Sequence, residues 1–274
     1  MEERAESSVA FSHMAILAAL SVVALISISS WQAWKIVTKG NTVSAVNSAP
    51  AELPSKAATP WRGVDWQAPL GDSVLAPDSV DKDGIANIEG NVVGALLGSY
   101  ATLTENGLYT PADGEKIAAD IAATLRANVS YPTYSASDIT TDPDTSYERM
   151  LTYRADLRQA LEPLLANPGY ELGLFANYIE SRDTTYTDRL KQAAKNYQAA
   201  FENASHVVVP KDALAYHVGI LNALSEFGAT VEAMAEHADD AFASAALLST
   251  YDASERNLMT SFDALASYQK NKTI

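Results

Sequence analysis

His217 is the residue of this chain whose type and surroundings come closest to those of a catalyst or a metal ligand. It lies in "VPKDALAYHVGILNALSEFG", where leucines recur at helical spacing on both sides of it. Leu214 and Leu221 share its helix face, so we predict that the histidine is at least half-buried and that its ring nitrogens are hydrogen-bonded. Asn222, Tyr216 or a tyrosine from another helix are the expected partners.

A metal site in a helical bundle needs further ligands at the same depth, typically from a Glu-x-x-His motif on paired helices. The residue three positions before His217 is Leu214, and the one three before His237 is Met234. The chain also lacks cysteine, a nucleophile elbow and a phosphate-binding glycine loop. We therefore predict no catalytic residue, no metal site and no cofactor, and keep a metal-binding bundle enzyme as the least favoured alternative.

The stretch "DSVDKDGIANIEG" shares part of its spacing with a calcium-binding loop. Asp81, Asp83 and Gly84 fall at the third, fifth and sixth positions of such a loop. Ser79 and Gly90 stand at the first and last positions, where the loop needs its main acidic ligands. We therefore interpret the stretch as the polar start of a helix.

The chain is strongly acidic, with a formal net charge of −15 over 274 residues. Binding to nucleic acid requires clustered lysine and arginine that displace counterions from phosphates, so we predict no nucleic-acid partner. An acidic surface favours solubility and repels anionic lipid headgroups. With 47% hydrophobic residues, the chain nevertheless has enough apolar side chains for a sizeable core.

Residues 9–34 have the composition of a membrane-spanning helix that follows a short tail at residues 1–8. The stretch "VAFSHMAILAALSVVALISISSW" lacks Asp, Glu, Lys and Arg and is long enough to cross about 30 Å of hydrocarbon. A signal peptide cleaved before Ser30 is the alternative, although the acidic start "MEERAESS" is unlike a signal sequence. Because a long domain follows, we expect the bulk of the chain outside the cytoplasm. Indoles and lysines match the anchors of a membrane interface: Trp31, Trp34, Lys35 and Lys39.

Residues 40–82 form a predicted linker in which prolines are spread among alanine, serine, asparagine and glycine. This composition does not support a helix or a central strand, and it predicts an extended tether. Trp61 and Trp66 interrupt the tether. They are expected to dock on the membrane, on the folded domain or on a partner, and the sequence leaves these three options open.

The residue pattern over 83–274 predicts an all-α domain. We expect an antiparallel bundle of about six helices joined by short loops. In "IANIEGNVVGALLGSYATL", Gly90, Gly94 and Gly98 recur every four residues and lie along one ridge. A glycine in a helix interior costs about 1 kcal/mol relative to alanine. We therefore expect this ridge to pack closely against another backbone, while the polar residues of the stretch disfavour a second membrane span.

Two residues that precede prolines mark predicted helix starts. Thr110 comes before Pro111 and is followed by Asp113, which is the pattern of a capping box. Asp142 also precedes a proline and repeats the pattern of a cap followed by proline. After a break at "HADD", the last helix is predicted over residues 241–268.

Three stretches carry a resemblance to other proteins: "KNYQAAFENA", "VVVPKDALAYHVGILNAL" and "LLSTYDASERNLMTSFDALASY". Together with Pro210, His217 and Asn222 at the penultimate helix, they resemble an uncharacterised group of membrane-anchored proteins of small-genome, candidate-phylum bacteria. The similarity covers most of the chain from about Asp83. The chain departs from the group at "HADDAF", where an Asp-Pro often precedes the last helix. The resemblance implies a membrane helix, a tether, a helical domain and an envelope location, and it implies no activity.

The sequence as a whole favours a single-pass, membrane-anchored, extracytoplasmic helical bundle. We expect it to act as a scaffold or interaction component of the cell envelope, without catalysis. Its expected partners are the lipid bilayer, through the N-terminal helix, and a protein of the envelope. The alternative is a ligand-binding or sensor bundle with a pocket lined by tyrosine, asparagine and histidine, in which His217, Asn222 and Tyr216 would contact the ligand.

Overall fold

Seven α-helices contain most of the residues that the computed structural model describes, which are 64–68 and 83–272. This part of the chain is mostly helical, at 74%, in agreement with the all-α class predicted from the sequence. The α-helices are α1 (Asn87–Glu105), α2 (Pro111–Thr124), α3 (Tyr147–Ala160), α4 (Glu171–Ser181), α5 (Thr185–Ser205), α6 (Leu214–Glu236) and α7 (Ala241–Asn271). Short 3-10 helices cover Ala136–Asp138, Glu162–Ala166 and Lys211–Ala213.

The membrane-related predictions fall on parts of the chain that the structure does not describe. Within residues 64–68 and 83–272, none of the helices has both the length and the apolarity needed to cross a bilayer. Most of the predicted linker also lies outside these ranges. The same holds for the tail at 1–8, the predicted membrane helix at 9–34, and the interface residues Trp31, Trp34, Lys35 and Lys39.

The contacts divide the described residues into two compact units. The first unit contains residues 64–65 and 90–125, and therefore most of α1 and all of α2. The second unit contains the remaining described residues, with α3 to α7.

The start of α2 confirms the predicted capping box. The Oγ1 of Thr110 accepts a hydrogen bond from the N–H of Asp113, whose Oδ2 accepts one from the N–H of Thr110. Pro111 occupies the first turn, where the absence of its N–H leaves no helix bond unmade. Further along the same stretch, Ile121 and Leu125 are buried.

Two glycines of the predicted ridge on α1 face open space. At Gly94 and at Gly98, no heavy atom of the described residues outside the adjoining backbone of the same helix lies within 4 Å of the position that a Cβ would take. Gly90, the third member of the ridge, is half-buried. The buried side of α1 in this unit carries Val92 instead. The close helix contact expected at Gly94 and Gly98 is therefore not made within the described part of the chain. Four-residue spacing defines one side of a helix, but it does not show whether that side is buried.

Part of the predicted linker belongs to the second unit. Trp66 is buried there, which selects the folded domain among the three options for this residue. The Nε2 of Gln67 donates to the carbonyl oxygens of Asp83, at 2.6 Å, and of Asn128, at 3.1 Å. At Gly84, where φ is +72°, an added Cβ would lie 2.7 Å from the carbonyl oxygen of Gln67. Glycine is therefore required at this turn.

In the second unit, α6 runs antiparallel to both α5 and α7. The rings of Tyr197 on α5 and Phe227 on α6 have centroids 4.9 Å apart. Ala204, which comes later on α5, contacts His217, which comes earlier on α6. In α6 and α7, a later residue of one helix likewise contacts an earlier residue of the other, as the ring contacts Phe227–Tyr251 and Tyr216–Tyr268 show.

A parallel pair of two-residue strands, which the sequence did not predict, joins two distant loops of the second unit. The strands are β1 (Thr141–Asp142) and β2 (Val209–Pro210). Arg149 of α3 links them, because its Nε donates to Oδ2 of Asp142 at 2.8 Å and its Nη2 donates to the carbonyl oxygen of Val208 at 2.6 Å. The pair is too short to change the all-α class.

Asp142 does not cap α3, and the sequence prediction is wrong at this point. Its carboxylate accepts hydrogen bonds from the N–H of Asp144 and from Arg149. The helix begins at Tyr147, and the Oγ of Ser146 is the cap, which accepts from the N–H of Arg149 at 3.2 Å. The side chain of Asp142 is thus engaged by the strand pair, and the proline that follows it lies before the helix.

Candidate functional site around His217

His217 lies fully inside the second unit, with 0% of its surface exposed. Its neighbours Ile220 and Leu221 are also fully buried, so the leucine-rich face of α6 carries the imidazole into the core. The Nδ1 of His217 lies 3.0 Å from the Oη of Tyr153 on α3, and its Nε2 lies 3.1 Å from the carbonyl oxygen of Ala204 on α5. The buried, hydrogen-bonded histidine predicted from the sequence is confirmed, with the partner tyrosine on another helix.

The two partners of His217 determine its tautomer. A carbonyl oxygen only accepts, so Nε2 carries the hydrogen and Nδ1 accepts from the Tyr153 hydroxyl. Burial lowers the pKa of His217 to about 4, against an ordinary value of 6.5, because the charged imidazolium is poorly solvated in the core. Burial also raises the pKa of Tyr153 well above its ordinary value. Both groups are therefore neutral at pH 7, and their hydrogen bond joins α3 to α6.

The other two predicted ligand-binding residues, Tyr216 and Asn222, lie on other sides of α6. Each residue of an α-helix turns the side chain by about 100°, so positions one and five residues from His217 face away from it. Tyr216 is 37% exposed, and its ring stacks on Tyr268 with centroids 5.3 Å apart. The structure therefore does not bring these three residues into one pocket.

Asn222 binds the backbone of residues 126–134, a non-helical segment that we call the strap. Its Oδ1 accepts from the N–H of Tyr134 at 2.7 Å, and its Nδ2 donates to the carbonyl oxygen of Tyr134 at 3.0 Å. One amide side chain thus satisfies both backbone groups of this residue. The Tyr134 ring packs edge-on against Phe201 of α5, with centroids 5.3 Å apart.

Two hydroxyl groups hold the strap along α6 and α7. The Oγ of Ser225 donates to the carbonyl oxygen of Pro132 at 2.7 Å. The Oγ1 of Thr250 lies 2.7 Å from the carbonyl oxygen of Ala127 and accepts from the N–H of that residue at 3.1 Å. This use of polar residues could not be predicted from the sequence, because apolar spacing shows which face of a helix is buried but not which backbone its polar groups bind.

A second buried polar cluster, absent from the sequence predictions, surrounds Glu171 at the start of α4. Glu171 is 6% exposed, and its Oε1 accepts from the Oη of Tyr197 at 3.0 Å and from the Nδ2 of Asn167 at 3.2 Å. Burial, together with the nearby charge of Glu255, raises the pKa of Glu171 above its ordinary value. A signal was present in the sequence, since Glu171 stands three residues before Leu174 and so falls on the apolar face of its helix.

Glu255 of α7 extends this cluster to a third helix. Its Oε1 accepts from the Oη of Tyr251 at 3.2 Å and from the Oη of Tyr170 at 3.5 Å. Burial and the charge of Glu255 raise the pKa of Tyr251 above its ordinary value, so its hydroxyl stays protonated and remains a donor. The arrangement holds α4, α5 and α7 together through hydroxyl–carboxylate hydrogen bonds.

The chain matches no family model, curated protein or solved structure. The resemblance to anchored proteins of small-genome bacteria therefore stays a prediction drawn from the residues. The roles of His217, Asn222 and Glu171 follow from their own partners, since each binds a tyrosine side chain or main-chain groups of the same chain.

His206 is exposed and forms the C-terminal cap of α5. Its Nδ1 lies 2.7 Å from the carbonyl oxygen of Glu202. With Asp156, Glu162 and Asn203 it lines a groove that is open to solvent. The groove is an open surface depression rather than an enclosed site.

His237 pairs with Asp83. Its Nε2 lies 3.3 Å from Oδ2 of Asp83, whose Oδ1 accepts from the N–H of Ile85 at 3.0 Å. The bond from the N–H of Ile85 precedes α1 and agrees with the interpretation of the calcium-like stretch as a polar helix start. Asp81 lies outside the described residues. Among residues 64–68 and 83–272, no three His, Cys, Asp or Glu side chains are grouped as metal ligands would be.

Proposed function

We propose that this chain is a single-pass, membrane-anchored protein whose extracytoplasmic helical domain is a non-catalytic scaffold or contact component of the cell envelope. The observation that supports the non-catalytic part of the proposal is the environment of His217. Both of its ring nitrogens are hydrogen-bonded inside the core, to Tyr153 at 3.0 Å and to the carbonyl oxygen of Ala204 at 3.1 Å. The histidine best placed for chemistry therefore connects α3, α5 and α6.

Other polar side chains of the second unit have the same structural use. Asn222 and Thr250 bind the strap, and Glu171 binds the hydroxyl of Tyr197. Leaving one partner of a buried hydrogen bond unsatisfied costs about 1–3 kcal/mol, so each of these bonds favours one defined packing of the helices. A fixed surface of this kind supports a role in presenting contacts to a partner.

The anchor and the tether of this proposal rest on the sequence. Residues 9–31 lack Asp, Glu, Lys and Arg and are followed by tryptophan and lysine. From residue 40 to Trp66 the chain offers a tether of about 25 residues, which spans about 25–30 Å if it is flexible. Such a tether would keep the domain close to the bilayer and still allow it to meet a neighbouring envelope protein.

Carbonate extraction of membranes tests the anchor. The full-length chain should remain in the membrane pellet. A variant that carries Leu20→Arg and Val23→Arg should be released, because an arginine at the centre of a membrane helix costs about 2.5–3.5 kcal/mol. Release of the wild-type chain with its N-terminus intact would contradict the anchor. Resistance of the domain to protease added outside intact spheroplasts would contradict the proposed orientation.

Crosslinking in intact membranes, followed by affinity purification, tests the scaffold role. The wild-type chain should recover the same envelope protein in independent preparations. The double-arginine variant keeps the helical domain but lacks the anchor, so it should recover less of that protein. If no protein is recovered reproducibly, the scaffold role is wrong even where the anchor is correct.

A further inference from the structure

Gln67 binds two segments of the second unit that are far apart in the sequence. Its side-chain amide pairs with the backbone of Asn128 in the strap: Oε1 accepts from the N–H at 2.5 Å, and Nε2 donates to the carbonyl oxygen at 3.1 Å. Nε2 also donates to the carbonyl oxygen of Asp83 at 2.6 Å, and the Nδ2 of Asn87 donates to the carbonyl oxygen of Gln67 at 3.0 Å. One residue of the predicted linker thus joins the start of α1 to the strap that follows α2.

Trp66 supplies the apolar part of the same attachment, with 4% of its surface exposed. The segments that the neighbouring glutamine binds are themselves fixed in the second unit. Ile85 and Ile88 are fully buried, and Thr250 binds both backbone groups of Ala127. The predicted linker is therefore fastened to the domain at residues 66 and 67, before its predicted end at residue 82.

This attachment determines which part of the chain carries tension that arrives from the N-terminal side. In the sequence, α1 and α2 lie between Asn87 and Asn128, and Gln67 binds both of these residues. A pull on the linker is thus passed directly to the strap and to the start of α1, so the rest of α1 and α2 lie outside its path. With the attachment open, the chain is held next at Asp83, which pairs with His237. The path then includes the 16 residues from 67 to 83 (83 − 67 = 16).

We propose that Trp66 and Gln67 form a latch that keeps the tether short and that opens without unfolding of the helices. The latch consists of one buried indole and the hydrogen bonds of one residue, whereas α6 buries side chains along its whole length. A segment with so few contacts opens more readily than the core. If the chain is flexible, opening lengthens the reach from residue 40 by about 8 Å. This effect on reach rests on the proposed membrane anchor, while the latch itself does not.

Hydrogen exchange at the Asn128 amide reports on the latch directly, because this N–H donates to Gln67. In the full-length chain, Gln67→Ala should accelerate this exchange by about tenfold or more, since the N–H loses its acceptor. Exchange along α6 should not change. Gln198→Ala is the matched control, because Gln198 is exposed and its Nε2 donates to Glu202 of the same helix. Unchanged exchange at Asn128 in Gln67→Ala, or equal acceleration along α6, would overturn a latch that opens on its own.

Single-molecule pulling on the full-length chain in detergent, held at its two termini, measures the length that the latch stores. The wild type should show an early step of about 55 Å, the extended length of 16 residues. The step should persist in Gln198→Ala and disappear in the Trp66→Ala/Gln67→Ala double variant, whose circular dichroism should match that of the wild type. A wild type without this step, or a double variant that keeps it, overturns the proposal. A chain that shows the step but leaves the membrane in carbonate contradicts the anchor alone.

Discussion

Gly228 on α6 and Tyr197 on α5 approach so closely that a Cβ added to the glycine would lie 2.9 Å from the Cβ of the tyrosine. The carbonyl oxygen of Ala194 would lie 3.9 Å from the same position. Gly228 is therefore the place where a missing side chain lets two helices of the second unit meet. The glycines that the sequence analysis chose for this role, Gly94 and Gly98, have no such neighbour in the described residues.

Alanine substitution at two glycines of α6 measures this contact. Gly228→Ala should destabilise the protein by about 1–3 kcal/mol, because the added methyl group overpacks the interface with Tyr197. Gly219→Ala is the control on the same helix: its Cβ would meet only the Oγ of Ser261, at 3.9 Å. That variant should gain up to about 1 kcal/mol from better helix propensity. Urea unfolding followed by circular dichroism gives both values, and equal stabilities would contradict the close contact.

Acid should destabilise the protein through His217. Its pKa is lowered to about 4 in the folded state from 6.5, so the folded state binds fewer protons than the unfolded state between these values. The contribution is complete above pH 6.5 and is lost as the pH falls towards 4, by about 3 kcal/mol in total. Urea unfolding at pH 7, 6, 5 and 4 should show this loss in the wild type and in His206→Gln. A His217→Gln variant that loses stability just as steeply would show that another group is responsible.

Glu171 should make the stability of the protein depend on pH in the opposite direction to His217. Its pKa is raised in the folded state, so its contribution to stability is complete below the unfolded pKa and decreases as the pH rises through the folded pKa. Glu171→Gln keeps an oxygen that accepts from Tyr197 but never ionises. We expect this variant to be more stable than the wild type at pH 8 and to approach the wild type at pH 4. A constant difference over this range would contradict the raised pKa.

Asn222 should control the opening of the strap. Asn222→Ala leaves the N–H and carbonyl groups of Tyr134 without their side-chain partner, which costs about 1–3 kcal/mol locally. Hydrogen exchange at the Tyr134 amide should therefore accelerate by about tenfold or more, since about 1.4 kcal/mol corresponds to a factor of ten. Ser225→Ala is the control, because it removes the hydrogen bond to Pro132 and leaves Asn222 in place. Unchanged exchange in Asn222→Ala would show that packing of the Tyr134 ring is sufficient.

Helix boundaries could be predicted from the sequence where the residues that form the cap are neighbours in the chain. The capping box of Thr110 and Asp113 is one case. Asp240 is another, because its carboxylate caps α7 directly after the predicted break at "HADD". Asp142 has the same local pattern, but a distant strand and Arg149 bind it instead. The tendency of Asp142 to cap a helix is therefore overridden by a contact that the local sequence does not contain.

The burial of His217 was also predictable, because helical spacing places it among leucines. Its partner was not, since Tyr153 lies 64 positions away and several tyrosines occupy similar places on their helices. Glu171 was missed for a related reason. An acidic residue on an apolar face shows that a polar partner must exist, but Tyr197 and Asn167 become neighbours only once α4 and α5 have packed.

The pairing of Thr141 with Val209 has a consequence for the order in which the second unit assembles. The whole of α3, α4 and α5 lies between these residues, so joining them closes a long loop at a large entropic cost. Helices linked by short connections, such as α6 and α7, meet sooner. We therefore expect the strand pair to form after the rate-limiting step. Arg149→Ala should then speed unfolding and leave the refolding rate unchanged in stopped-flow experiments, because Arg149 fastens a contact that is absent from the transition state.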